Sequence, residues 1–331
     1  MATQFQNAFS DNALKNLVIL LVMARGFSEE ERNTYVTLAA ALFAAPFILF
    51  SMLGGWLADR FSKRRVMSAV KLAEIGIMLF AAAGLALRSL PLELTAVFLM
   101  GCHSAIFGPS KYGILPEVLP HERLSWGNGI LELLTFLGII FGTVAGAVFA
   151  ETLADAPGLA GLILAGLAVL GWLCSREVLD VPAASPQRPF PANPVAELAK
   201  QLRAMRADRD LWRANWGNVG FFFVAALVQM NLLLHAKDVL KLAETKTGLL
   251  SAALALGIGF GSVAAGFASR GRIEYRLVPI GALGLALSTV PMGAEGMGVV
   301  GFTVALVGLG FSAGFFIVPL SLIHISEPTR P

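Results

Sequence analysis

Charge is scarce in this chain. Only 14% of its 331 residues are Asp, Glu, Lys or Arg, whereas 56% are hydrophobic; soluble domains carry about 25% charged residues. That imbalance excludes an ordinary soluble globular protein. Cysteine is nearly absent, and both copies, Cys102 and Cys174, lie in apolar runs, which excludes a disulfide framework and a thiolate metal site. The four histidines, at 103, 121, 235 and 324, show no metal-ligand spacing. No Walker A sequence is present. The glycine-rich "GIGFGSVAAG" (257–266) sits in an apolar run with no strand before it, so it is not a nucleotide loop. The net charge of +3 is small and gathered in short clusters, not spread as a nucleic-acid face. The first apolar run lacks a basic leader and a small-residue cleavage site, and reads as a first span, not a signal peptide. No cofactor is implied.

Apolar runs of about 20 residues fill the space these absences leave, each long enough to cross a hydrocarbon core of about 30 Å. Ten are expected, near 5–25, 34–57, 66–87, 92–114, 125–150, 158–175, 212–235, 247–268, 277–293 and 298–319. The fold class is therefore an all-α polytopic membrane protein. Its loops alternate in sign. "DRFSKRR" (59–65), "KYGILPEVLPHER" (111–123), the stretch 176–211 and "SRGRIEYR" (269–276) hold most of the Lys and Arg, while "RGFSEEERN" (25–33) and "ETLADAPG" (151–158) lean acidic. The positive-inside bias puts the basic set and the N-terminus in the cytoplasm.

Residues 176–211 are the one long interruption. "VPAASPQRPFPANP" is too proline-rich for a helix. "VAELAKQLRAMRADRDLWRANW" reads as an amphipathic helix at the membrane surface, with Val195, Leu198, Leu202 and Met205 near one face. The division that follows is a six-helix bundle over 1–175, a cytoplasmic linker with an amphipathic helix over 176–211, and four further helices over 212–320. The polar stretch 321–331, "SLIHISEPTRP", begins no new span and reads as a tail foreign to the protein.

Several charged or amide side chains lie within the apolar runs. At about 100° per residue, Asp11, Asn12, Lys15 and Asn16 share one polar arc of the first span. A charge at bilayer depth costs about 2.5–3.5 kcal/mol on insertion scales, so such groups face the bundle interior and find partners. Asp11 and Lys15 could neutralise each other at the i, i+4 spacing. Lys111, between Pro109 and Gly113, could snorkel to the interface. Alternatively, Pro109 and Gly113 break the helix there, and Lys111 serves as a phosphate contact or gate. Asn128 and Glu132 share a face of the fifth span, where Glu132 could meet an amine, carry a proton or brace Lys111. Lys71 and Glu74 read as a compensated internal pair. Gly138, Gly142 and Gly146 read as a close helix-packing seam. Gln229 and Asn231 are the second-half candidates for a polar path, and "GFFFVAAL" (220–227) could form an acyl-chain wall or face lipid.

"GGWLADRFSKRR" (54–65) resembles the cytoplasmic loop signature of the major facilitator superfamily through Gly55, Asp59, Arg60, Lys63, Arg64 and Arg65, with Ser62 where that family usually has glycine. The resemblance implies a two-bundle fold with about ten of twelve transmembrane helices present. It also implies a tight turn at Gly55, and charges that pair between helix ends in one conformation and release in the other. A faint internal echo, "AGFASRGRIEYR", follows the eighth span.

Three further stretches, "FSDNALKN" (9–16), "GPSKYGILPEVLP" (108–120) and "NGILELLTFLGIIFGTVAGAVFA" (128–150), resemble the bacterial lysophospholipid transporter family, from Phe9 to about Leu320. That family includes the membrane domain of acyltransferase/acyl-ACP-synthetase fusions. The resemblance implies inward flipping of lysophospholipids such as lysophosphatidylethanolamine across the bacterial inner membrane for reacylation. It also implies a fused or associated acyltransferase as partner, with Asp11 and Lys111 holding the headgroup. An acid beside a base, as in Asp11 and Lys15, suits a zwitterionic headgroup. No His-x-x-x-x-Asp pair of the acyltransferase kind occurs, so acylation is not expected of this chain. The rival reading is a proton-coupled facilitator exporting or importing a drug or small metabolite, in which Asp11 or Glu132 titrates.

Overall fold

A computed structural model describes residues 1–191, 193–242, 244–269, 274–294 and 296–326. Among these, every regular element is a helix. In order they are α1 (Ala2–Ala24), α2 (Glu29–Arg60), α3 (Lys63–Ala86), α4 (Leu90–Gly113), the short α5 (Leu115–Val118), α6 (Leu124–Thr152), α7 (Pro157–Arg176), α8 (Pro194–Ala207), α9 (Arg209–Asp238), α10 (Glu244–Ala268), α11 (Leu277–Met292) and α12 (Val299–Ser326).

Each of the ten expected spans falls on a helix. Seven of the described helices are long and apolar enough to cross a membrane, and α11 is a shorter apolar helix. α1 falls outside both groups because its apolar face is interrupted by Gln4, Gln6, Asn7, Asp11, Asn12, Lys15 and Asn16; α9 carries Asn215, Asn218, Gln229 and Asn231. Local chemistry sets several boundaries. Ser28 and Glu31 form a capping box at the start of α2, with Glu29 and Glu30 also in its first turn, where negative charge meets the positive helix end. Asp208 caps α9 by accepting from the backbone N–H groups of Asp210 and Leu211 at 2.9 and 3.0 Å. The stretch expected as one amphipathic helix is therefore two, α8 and the start of α9, broken at Asp208. Residues 270–273, inside the expected basic loop and the internal echo, and 327–331, in the expected tail, lie outside the described residues. Ser321 to Ser326 continue α12.

The chain divides into two compact units, Met1–Val118 with Gly138–Pro194, and Leu119–Leu137 with Val195–Pro331, so the division runs through α6. The first unit centres on a buried cluster that includes Leu14, Leu17, Val22, Met78, Leu85, Val97, Met100 and Leu164, drawn from α1, α3, α4 and α7. The expected glycine seam forms here. A Cβ on Gly138, Gly142 or Gly146 of α6 would lie 2.6, 2.3 or 2.7 Å from the carbonyl oxygens of Phe5, Phe9 and Ala13 of α1. Only glycine lets the two backbones approach so closely.

The second unit is built around α10 and α12, with Leu232, Leu250, Leu254, Phe302, Leu306 and Leu309 in its main core. Here the glycine-rich stretch 257–266 has a packing role. A Cβ on Gly257 or Gly261 would fall 2.5 or 2.1 Å from the carbonyl oxygens of Val307 and Phe311, and α12 answers with Gly310 against the carbonyl of Leu254 at 2.3 Å. Phe222 and Phe223 of α9 are exposed on this unit.

Candidate functional site

The deepest polar structure lies in the first unit, where α1, α3 and α4 meet. Lys71 and Glu74 of α3 are 0% exposed and paired at 2.7 Å. The expected internal pair is thus present, and it is the centre of something larger. The Lys71 ammonium also donates to Gln6 Oε1 at 2.8 Å and Asn7 Oδ1 at 3.0 Å. All three of its protons are therefore used, and the charge sits 4.9 Å from the Phe107 ring. Gln6 returns a bond to Glu74 Oε1 at 2.8 Å. Asn7 donates to Asp11 Oδ2 at 3.0 Å, and Ser104 Oγ lies 2.8 and 2.6 Å from the two Asp11 carboxylate oxygens. His103 stacks on Phe107, with its Nε2 3.4 Å from Glu74 Oε2.

This arrangement divides the polar arc of α1. Asp11 is buried against α4, while Asn12, Lys15 and Asn16 are half-buried. The i, i+4 pair between Asp11 and Lys15 does not form. Ser104 and Asn7 supply the carboxylate's hydrogen bonds, and the Lys15 ammonium turns to Asn12 Oδ1 at 3.3 Å and to the Phe43 ring at 5.1 Å. The reason is rotational. Asp11 is at the buried edge of the arc, facing donors on another helix, and Lys15 is about 40° round towards α2. Gln6, Asn7, His103 and Ser104 were not singled out in the sequence. The usable signal was their polarity inside membrane-length helices.

Lys111 is half-buried in the last turn of α4, its ammonium 4.2 Å from the Tyr112 ring. The expected helix break beside it is absent, since α4 runs through Pro109 to Gly113. Proline removes only the bond to the Ala105 carbonyl. At that level α2 comes closest, with a Cβ on Gly54 lying 2.9 Å from the same carbonyl oxygen.

The signature loop also differs from expectation at its glycine. Gly55 lies inside α2 with open space where a Cβ would be, so it makes no tight turn; Gly54 is the position that packing requires. The charges pair largely with the segment after α7. Asp59 pairs with Arg188, whose backbone carbonyl accepts from Arg60 Nη1 at 2.8 Å. Ser185 N–H donates to the Asp59 carbonyl at 2.8 Å, and Trp56 Nε1 to the Pro189 carbonyl at 3.0 Å. Ser62 is hydrogen-bonded to Asp180, and Lys63 pairs with Glu117 of α5. Arg64 is half-buried and Arg65 exposed.

In the second unit Asn128 is fully buried and donates to Ser321 Oγ of α12 at 2.8 Å, while Glu132 is half-buried on the same helix. Gln229 reaches Ser251 of α10 at 3.5 Å, and Asn231 bonds back to the Leu227 carbonyl of its own helix at 3.3 Å. Two residues apart, they point to different sides of α9. Among the described residues no group of three or more His, Cys, Asp or Glu side chains could hold a metal ion.

Membrane-length helices enclosing a buried, hydrogen-bonded ionic cluster are those of a multi-pass membrane protein. The chain belongs to the Major Facilitator Superfamily, whose family model matches residues 1–330. It is similar to the lysophospholipid transporter LplT of Salmonella newport (strain SL254), with 28% identity over 330 residues, 98% of this chain and 78% of the relative. LplT of Salmonella typhimurium matches with the same identity and coverage. Among solved structures, the human organic anion transporter MFSD10 superposes with a TM-score of 0.76 at 17% identity, over 99% of this chain and 85% of its own. The transporter FucP in its outward conformation does so with a TM-score of 0.70 at 11% identity, over 98% and 88%. The chain is therefore a membrane transport protein with the facilitator fold.

Proposed function

We propose that this protein moves lysophospholipids, lysophosphatidylethanolamine among them, across the bacterial inner membrane towards the cytoplasmic leaflet, with its own N-terminus cytoplasmic. The likeness to the LplT proteins supports the substrate class. The observation that carries the reading is an acid and a base on one polar arc of α1. Asp11 and Lys15 stand four residues apart without a direct ion pair, so an ammonium and a phosphate of one headgroup each have a counter-charge. Lys111 is a second phosphate contact. Asn12 adds an amide on the α1 face, and Asn128, Glu132, Gln229 and Asn231 are the polar residues offered by the second unit. Asp59, Arg60, Lys63, Arg64 and Arg65, with Pro109 and Gly113, serve the conformational change. Acylation belongs to a fused or associated acyltransferase.

Reconstituted into liposomes, the protein is expected to carry a fluorescent lysophosphatidylethanolamine to the inner leaflet. Unlabelled single-chain phospholipids should compete, and water-soluble drugs or sugars should not. Efficient competition by soluble solutes, with no lysolipid movement, would replace this reading with that of a small-metabolite facilitator.

A further inference from the structure

Asn16 lies one turn after Asn12 on α1, beside Lys15, and two bonds fix its carboxamide. Its Nδ2 donates to the Asn12 carbonyl at 2.7 Å and to Thr143 Oγ1 of α6 at 3.3 Å. Only the N–H end of an amide can bond to a carbonyl, so the Asn12 contact settles which end is which. Both Asn16 amide protons are thereby spent, and its Oδ1 receives no donor among the described residues. Thr143 is the complementary case. Threonines elsewhere in these helices give the hydroxyl hydrogen to their own helix, as Thr95 does to the Pro91 carbonyl and Thr152 to that of Val148, both at 2.7 Å. The Thr143 oxygen instead accepts from Asn16 across two helices, and its hydrogen goes to no carbonyl among the described residues. The pair thus offers one acceptor and one donor side by side.

Exposure and chemistry narrow what fits there. Asn16 is half-buried and Thr143 exposed on the first unit, so a ligand can reach both. An ammonium has no use for the Thr143 hydrogen, and a phosphate oxygen is repelled by Asn16 Oδ1. A hydroxyl donates to one and accepts from the other. Next along the chain, the Lys15 ammonium gives one proton to Asn12 Oδ1 at 3.3 Å and keeps charge for an anion. A ligand that suits all three side chains carries a hydroxyl beside a phosphate ester. The glycerol of a lysophospholipid does so: its free middle hydroxyl is vicinal to the phosphate ester, and in a two-chain phospholipid that oxygen is esterified and cannot donate.

We propose that Asn16 and Thr143 form a subsite for the free glycerol hydroxyl of a lysophospholipid whose phosphate is held by Lys15, and that this subsite favours single-chain over two-chain lipids. The proposal rests on the lysophospholipid reading above and adds the residues that recognise the missing chain.

The test sets unlabelled lipids to displace fluorescent lysophosphatidylethanolamine from the purified full chain. One competitor is lysophosphatidylethanolamine; another is its 2-deoxy analogue, with the same chain, headgroup and charge but no hydroxyl. The 2-deoxy lipid should compete about two- to tenfold more weakly, the worth of one neutral hydrogen bond. Thr143→Val keeps the side chain's shape without the hydroxyl and should bring the two competitors together by weakening the hydroxylated one. Thr143→Ser should keep the parental ratio. Two-chain phosphatidylethanolamine should close on lysophosphatidylethanolamine by the same factor in Thr143→Val. Equal competition by the lysolipid and its 2-deoxy analogue in the parent, or a parental ratio in folded Thr143→Val, would overturn the hydroxyl subsite while leaving lysolipid transport intact. An unchanged preference over the two-chain lipid in that variant would overturn the selection. The parental ratio needs no variant, so it decides even if a substitution fails to fold. Binding of neither lysolipid by the parent would overturn the transport reading itself.

Discussion

Lys71 spends each of its three protons on a different partner, and Glu74 takes up two of the resulting contacts either directly or through Gln6. A buried pair so completely bonded is expensive to break from one side: loss of one partner strands a charge, at about 3–5 kcal/mol, whereas replacing both is far milder. Glu74→Gln alone should therefore lower thermal stability in detergent sharply. Lys71→Met combined with Glu74→Gln should recover most of the loss, as a double-mutant cycle would report; equal losses in single and double variants would show that the pair is not coupled. The sequence exposes the Lys71–Glu74 spacing, and with it the pair. It does not expose Ser104 or His103 as partners, because which face of α4 turns towards α1 is decided by packing between helices far apart in sequence. For the same reason the Asp11–Lys15 spacing permits an intrahelical pair that the fold forgoes once Ser104 offers a closer hydrogen bond.

Among the elements, helix packing depends on a few glycines. Gly142→Ala would drive a Cβ to 2.3 Å from the Phe9 carbonyl oxygen, so α1 and α6 must separate. An overpacking cost of about 1–3 kcal/mol is expected, read as a lower unfolding midpoint. Gly166→Ala is the control: with nothing within 4 Å of its Cβ, it should be neutral or slightly stabilising through helix propensity. Equal effects at the two positions would remove the seam from the account. The extent of the ten spans was legible because bilayer thickness dictates run length. The special role of Gly54 over Gly55 was not, since adjacent glycines look alike until a neighbouring backbone arrives at one of them.

The segment 180–190 is also an element of interest, pinned to the end of α2 by Asp59–Arg188 and by Trp56 on the Pro189 carbonyl. A single partly exposed ion pair contributes about 0.2–1 kcal/mol, but Arg188→Glu replaces attraction by repulsion. Limited proteolysis between residues 177 and 193 should then accelerate several-fold without unfolding the bundle. Cleavage at the parental rate would mean that the backbone contacts alone hold the segment.

On the scale of the whole molecule, facilitator membership, membrane-length helices and an internal ionic cluster converge on transport. The facilitator class was legible from the signature at 54–65 and from the long linker 176–211 that separates two sets of apolar runs. The internal wiring of the cluster was not, since it joins residues as distant as Gln6, Glu74 and Ser104. The most direct test of the central claim is the initial rate at which reconstituted protein flips fluorescent lysophosphatidylethanolamine, with Asp11→Asn and Lys111→Gln measured beside the parent at equal insertion. A charge-assisted contact is worth about 1.5–3 kcal/mol, so each variant should slow flipping by roughly tenfold or more. Parental rates in both variants would contradict the claim that these charges receive the headgroup.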